Sequence, residues 1–228
     1  MTDVWKSISG GIWKNTRADA WYGLDSGAPD IPPWAIVRYL FVLTGYRDGL
    51  EDIQIPIGSF QSRVNSTDPS YLSVVIPNAD AWIGAISARG NSQLVVYGAY
   101  IVGSTELLRR ELCRADLETI NVDKGSLNQS ITLLGHKSRV YMPVEVMTLE
   151  GIQYYASSGG LRRFRAKPNF SLRPNSVIEY ESEYITVGSI SWTVSVDQQT
   201  MEISEVEDQE TVNTIYALKV NTNIGIVP

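Results

Sequence analysis

From Arg38 to about Lys137 the sequence is a succession of short β-branched and aromatic runs, each closed by turn-forming residues. That punctuation limits the fold more than any other feature. Tyr39-Leu40-Phe41-Val42-Leu43 stops at Thr44-Gly45, and Tyr71-Leu72-Ser73-Val74-Val75-Ile76 stops at Pro77-Asn78. Leu94-Val95-Val96-Tyr97 continues through Gly98 to Val102, and Ser130-Ile131-Thr132-Leu133-Leu134 stops at Gly135. Runs of about four to eight such residues between breakers read as strands. One short helix interrupts them: Asn78 or Asp80 can cap Ala81 to Ile86, with Ile83 and Ile86 on one face and Gly90 just past the end. From Glu106 to Cys113 the composition is helical, but Leu108, Leu112 and Leu117 leave the period unsettled.

A second β unit follows, from about Arg139 to Glu207. Tyr184 to Val196 alternates, with Ile190, Trp192, Val194 and Val196 on one face and Ser189, Ser191, Thr193 and Ser195 on the other. Asp197-Gln198-Gln199 is turn-like, and Met201 and Ile203 resume the alternation, which predicts a hairpin with one buried face. The fold expected is mainly β: two β-barrel- or sandwich-like units, residues 38–138 and 139–207, with a short helix and extended terminal arms. The two units could be related barrels that share a sheet.

The arms are residues 1–37 and 208–228. The first carries Trp5, Trp13 and Trp21 at a spacing of eight and ends in Asp30-Ile31-Pro32-Pro33-Trp34. Its Gly10-Gly11 break and paired prolines do not fit inside regular elements. Tryptophans on an extended arm need cover: from a neighbouring subunit, which would make the arm an assembly device, or from the chain's own body, which would make it packing. The second arm has no clear period.

A chain of 228 residues can bury a core without metals or disulfides. Its one cysteine, Cys113, cannot form an intramolecular bridge, so a reducing cytoplasm suits it. The start, Met1-Thr2-Asp3-Val4-Trp5-Lys6, lacks a signal-peptide pattern, and no apolar run reaches the ~20 residues of a membrane-spanning helix. Neither export nor a membrane anchor is expected. Net charge is -6, which argues against gripping nucleic acid, because phosphate neutralisation needs surplus Lys and Arg. Six Trp and twelve Tyr against four Phe suit both a β core and interfaces.

Catalytic and ligand chemistry is thinly supplied. The single histidine, His136, reads as a strand-end residue, and nothing places Cys113 beside it for nucleophilic catalysis. A tetrahedral metal site needs more His and Cys than one of each. Glu179, Glu181 and Glu183 alternate along one side of an expected strand, which reads as a solvated edge rather than a cation site. Ser157-Ser158-Gly159-Gly160 lacks the spacing of a phosphate loop and reads as a turn into the basic strand 161–167. If that strand alternates, Arg163 and Arg165 share a face available to an acidic neighbour. No catalytic residue, cofactor or metal is expected. Trp5, Trp13, Trp21, Trp34, Arg163 and Arg165 are the candidate subunit-interface residues.

Several pieces, in order, resemble the tail-tip and baseplate hub-like structural proteins of long-tailed bacteriophages. They are Arg38-Tyr39-Leu40, Leu43-Thr44-Gly45, Asp48-Gly49, residues 55–63 and residues 69–77. Further on come Asp116-Leu117-Glu118, Asp123-Lys124-Gly125, residues 131–136, Leu161 to Arg165, Leu172-Arg173-Pro174, residues 185–191 and Met201 to Glu205. The likeness spans roughly Arg38 to Glu205 and favours a strand for residues 106–113. It implies a virion structural protein at the tail tip, in the hub or a distal-tail ring, made in the host cytoplasm. Threefold or sixfold rings of its own copies would join neighbouring tail proteins such as tube, hub and tape measure, with DNA only as passing cargo. The family supplies no catalytic residues. A receptor- or carbohydrate-binding tail module is the alternative, and a cell-wall hydrolase a more distant one.

Overall fold

In a computed structural model, residues 31–66, 68–124, 129–139, 146–158 and 160–206 are described here. They form thirteen strands and one α-helix. The chain is mainly β, and its contacts divide it into two compact units. Unit 1 holds residues up to Arg63, Pro69–Ser138 and Trp192–Gln199; unit 2 holds Val64–Asp68, Arg139–Ser191 and the residues from Thr200 on. Most of the two arms, with Trp5, Trp13 and Trp21, lies outside the described residues.

Unit 1 contains β1 (Ile36–Leu43), β2 (Ile53–Ile55), most of β3 (Ser59–Asn65), β4 (Ser70–Pro77), α1 (Ala79–Ser87), β5 (Gln93–Val102), β6 (Thr105–Lys124) and β7 (Gln129–Lys137). The strands lie in the order β2-β1-β5-β6-β7-β4-β3, every neighbouring pair antiparallel. In β4 alternate residues Ser70, Leu72, Val74 and Ile76 are buried, matched by Ile131 and Leu133 of β7 and Phe60 of β3. Toward β1 and β5 both faces are covered, and Leu40 to Leu43 and Leu94 to Val96 are buried without alternation. Removing each such side chain from water contributes about 1.5–3 kcal/mol.

The residues from Glu106 to Cys113 are strand, and the structure shows why their period was unreadable. β6 carries an extra residue at three places, Leu107, Leu112 and Glu118, where its pairing with β5 or β7 slips by one. Each β-bulge exchanges the faces of all that follows, so no single period of two survives. The third bulge also corrects the expected stop at Gly135. β7 runs on to Lys137 because Gly135 sits opposite the bulge, where a Cβ would lie 2.2 Å from the Asp116 carbonyl oxygen. This glycine marks a close approach of two backbones rather than a turn.

The helix α1 starts after Asn78, which adopts a left-handed conformation and makes no side-chain cap. Its C-terminal end is held instead by Arg89, whose guanidinium donates to the carbonyl of Ala85 at 2.8 Å and to that of Glu51 at 2.9 and 3.2 Å.

Unit 2 contains β8 (Val146–Met147), β9 (Gln153–Ser158), β10 (Leu161–Ala166), β11 (Val177–Tyr180), most of β12 (Glu183–Val194) and most of β13 (Gln199–Glu205). The order is β12-β13-β10-β9, with β11 on β12 and β8 parallel to β11. Phe164, Phe170, Ile178, Ile185, Val187, Met201 and Ile203 are fully buried. The β12–β13 hairpin closes with the Ser195 amide donating to the Gln198 carbonyl at 2.8 Å.

Two expectations in this region need correction. Val196 is 91% exposed, because β12 ends at Val194 and Val196 belongs to the turn. Upstream, residues 185–187 are buried on both faces, so the alternation holds only over the later part of β12. Glu179, Glu181 and Glu183 do not share a strand edge. Tyr180 pairs with Glu183 across a two-residue turn, in which Glu181 and Ser182 both take positive φ, 49° and 65°. Such a turn matches the twist of a hairpin but favours Asn or Gly, and neither stands here to signal it.

Candidate subunit interface

Trp34 is placed by the turn that leads into β1. The Ala35 amide donates to the Pro32 carbonyl at 2.9 Å, and Pro33, with its φ already fixed, takes the second position. Trp34 is left 71% exposed, with Ile36 65% exposed two residues on. β2 lines β1 only from Phe41 to Leu43, so these two apolar side chains flank the stretch of β1 that lies beyond β2. Tyr39 turns inward, its ring edge-on to Phe60 at 5.3 Å and to Trp192 at 6.4 Å. Burial first, then the neighbouring Tyr100, pushes its phenol well above the usual tyrosine range.

Arg163 and Arg165 belong to unit 2. β10 places both on its exposed face, opposite Ser204 and Glu202 of β13. Arg165 already has an acidic neighbour in its own chain, for its guanidinium lies 2.9 Å from Glu202. Arg162, which no sequence pattern singles out, faces the other way, on the side of buried Phe164. It donates to Glu205 through Nε and Nη2 at 3.0 and 2.9 Å, its backbone amide reaches the same carboxylate at 3.2 Å, and Nη1 reaches Glu183 at 2.5 Å. The signal was present: an arginine two residues before a buried phenylalanine in a strand needs a carboxylate. Burial raises the Glu205 pKa, but the side-chain and backbone hydrogen bonds from Arg162 outweigh it and hold the carboxyl below its ordinary value.

Unit 1 carries a second polar cluster at one end of its sheet. Asp116 accepts from Gln93 at 2.7 Å and pairs with Arg47 at 3.0 Å and Lys137 at 3.8 Å. Burial raises its pKa, and Gln93, Lys137 and Arg47 together bring it below the ordinary value. His136 extends the cluster, with Nδ1 2.8 Å from Glu118 and its ring 5.3 Å from that of Tyr71. Both His136 and Glu118 are about half exposed, whereas Cys113 is buried with its thiol directed at the Tyr71 carbonyl. Among the described residues no three His, Cys, Asp or Glu side chains are grouped to hold a metal ion.

No protein-family model and no curated protein matches the sequence. Solved structures do resemble it. One is the E. coli c3393 protein, a component of the type VI secretion system described as structurally similar to the T4 bacteriophage tail proteins gp27 and gp5. It is 8% identical with a TM-score of 0.46, over 67% of this chain and 73% of that one. A tail protein from Neisseria meningitidis MC58 is 7% identical with a TM-score of 0.45, over 75% and 97%. The 43 kDa tail protein of prophage MuSo2 from Shewanella oneidensis is 7% identical with a TM-score of 0.45, over 74% and 97%.

Proposed function

We propose that this chain is a structural subunit of a bacteriophage tail tip, in the hub or a distal-tail ring. It joins copies of itself and neighbouring tail proteins around the DNA channel and carries no catalytic site. The observation that carries this reading is how the family-like segments meet. Residues 55–63 and 69–77 contribute the paired strands β3 and β4. Residues 116–118 lie at the bulge opposite 131–136, and Leu161 to Arg165 pairs with Met201 to Glu205. The last pair joins segments about forty residues apart in sequence, in register as neighbours, as a fold shared with that family would require.

The surfaces agree with an assembly role. Trp34 and Ile36 form an exposed apolar pair, and Arg163 and Arg165 an exposed basic one. In a symmetric ring such patches are buried by the next copy. Net charge of -6, directed at the channel, would keep passing DNA from adhering. The only histidine and the only thiol stand in different settings, one exposed and one buried, which does not suit nucleophilic catalysis.

Light scattering on the purified full-length chain tests the proposal. A species of three or six copies that dissociates on Trp34→Ser is expected. A strict monomer that binds host surface glycans would favour the receptor-binding alternative, and clearing of host peptidoglycan in a zymogram would overturn the non-enzymatic reading.

A further inference from the structure

β6 outruns its neighbour β5. The two pair as far as Gln93 and Asp116, and the Leu117 amide donates to the Ser92 carbonyl at 2.9 Å. The Glu118 bulge follows. From there to Lys124, β6 pairs with β7 on one side, and among the described residues no strand runs along the other. All of residues 118–124 are exposed except Ile120, which is half-buried. An open edge presents a row of N–H and C=O groups to any strand that reaches it.

The sequence of this stretch, Glu118-Thr119-Ile120-Asn121-Val122-Asp123-Lys124, is complementary to its own reverse. Antiparallel pairing centred on Asn121 sets Lys124 opposite the partner's Glu118, Asp123 opposite the partner's Thr119 and Val122 opposite the partner's Ile120. Opposite charges face each other, a hydroxyl donates to a carboxylate, and two β-branched side chains meet. Each is a favourable cross-strand pair, and symmetry makes each of them twice. A shift of one residue sets Asp123 against either the partner's Glu118 or the partner's Ile120, and it opposes apolar to polar side chains throughout. The faces agree as well. Ile120 and Val122 stand opposite Leu133 and Ile131 of β7, both fully buried, so they carry the buried face to its rim, where Val122 is left 36% exposed. A twofold axis perpendicular to the sheet keeps that face on the same side in both copies, and the partner's Ile120 and Val122 continue it.

We infer that the end of β6 is a twofold docking edge, on which a second copy of this chain lays its own residues 118–124 with Asn121 on the axis. Ser92 bounds the window on one side and the end of β6 at Lys124 on the other, which confines the register. A seven-residue edge falls short of the roughly 1,000 Å² of a stable interface, so the pair is weak and reversible. It shields the edge of free copies from other strands. The Trp34 surface lies at the far end of the sheet, where Ile36 pairs with Ile101 and Ile101 with Glu106, so the two contacts are independent.

Two measurements on the full-length chain test it. Directly opposed residues of antiparallel strands have Cα atoms about 4.5–5.5 Å apart, within disulfide reach. Asn121→Cys should therefore oxidise to a linked dimer at least about tenfold faster than Thr119→Cys, whose two copies stand four residues apart, about 13 Å along the strands. The native Cys113 is buried and does not compete. Equal rates, or no link at Asn121→Cys, would overturn the pairing. In the second, Lys124→Glu sets like charges opposite each other and should weaken dimerisation at low salt, read by sedimentation, on the order of tenfold. Adding Glu118→Lys reverses both charges and should restore it. No weakening, or a weakening that the second substitution leaves in place, would overturn the register. Both measurements are repeated with Trp34→Ser, where the pair is expected to persist; a pair lost with Trp34 would belong to that surface and overturn the inference.

Discussion

Asp116 in unit 1 and Glu205 in unit 2 each stand against a glycine of a neighbouring strand and differ in burial. Each has a backbone carbonyl pressed against a glycine, with a Cβ on Gly135 2.2 Å from the Asp116 oxygen and one on Gly188 2.7 Å from the Glu205 oxygen. Each carboxylate is engaged by arginine. Asp116 is bonded by Gln93, Arg47 and Lys137, but its side chain is 40% exposed. Glu205 is 5% exposed and is held by Arg162. Water competes for the bonds at Asp116 far more than for those at Glu205, so energetic weight follows burial.

The glycines are where the likeness breaks first. Gly135→Ala puts a methyl into the Asp116 backbone carbonyl, and a loss of about 3 kcal/mol is expected. Gly188→Ala, with a longer clash distance, should lose about 2 kcal/mol by the same mechanism. Urea unfolding of both variants gives the comparison. Equal losses below about 1 kcal/mol would mean that both sheets relax around the methyl and that neither close approach is rigid.

The arginines give a contrast of similar size. Arg162→Ala removes the guanidinium that holds the buried Glu205 carboxylate and should cost about 2–4 kcal/mol. Arg47→Ala, at an exposed pair, should cost less than about 1 kcal/mol. Acid separates them again. The Glu205 pKa is depressed in the folded state, so its stabilisation is complete above the ordinary carboxylate range. It is lost as pH falls from about 5 through the depressed folded value. Arg162→Ala should therefore flatten the acid limb of a stability-against-pH curve, and an unchanged limb would show that Glu205 does not control it.

Much of this architecture was legible in the sequence, and the missing parts have physical causes. Strands with one buried face and turns rich in Gly, Pro or Asn could be read directly, as at β4, whose residues alternate cleanly before Pro77-Asn78. β6 could not, because three bulges erase its period. Gly135 looked like a stop because a glycine required by a neighbouring backbone and one required by a turn are the same letter. Glu181 and Ser182 were missed because their turn uses neither Asn nor Gly. Of the candidate interface residues, Trp34, Arg163 and Arg165 could be placed, whereas Arg162 escaped notice because its importance lies in Glu205, about forty residues away in sequence and adjacent in space.

Arg89 gives a third comparison, a buried arginine whose described hydrogen bonds all go to backbone carbonyls, those of Ala85 and Glu51. Arg89→Met keeps much of the side-chain volume and leaves those carbonyls without this donor, which should cost about 1–3 kcal/mol. Hydrogen exchange should report the loss at the end of α1 and in the loop around Glu51, with unit 2 unaffected.

The smallest effect on stability should come from the exposed face of β10. Arg163→Glu changes a side chain that points to solvent opposite Ser204, and unfolding should shift by no more than about 0.5 kcal/mol. Self-association is the sharper readout. If this face meets an acidic patch on the next copy, reversing its charge should weaken association on the order of tenfold or more at low salt and less at high salt. Arg165→Ala should do less, because Arg165 is already shared with Glu202 of its own chain. Association that is the same in both variants at every salt concentration would remove the β10 arginines from the interface and leave Trp34 and Ile36 as its centre.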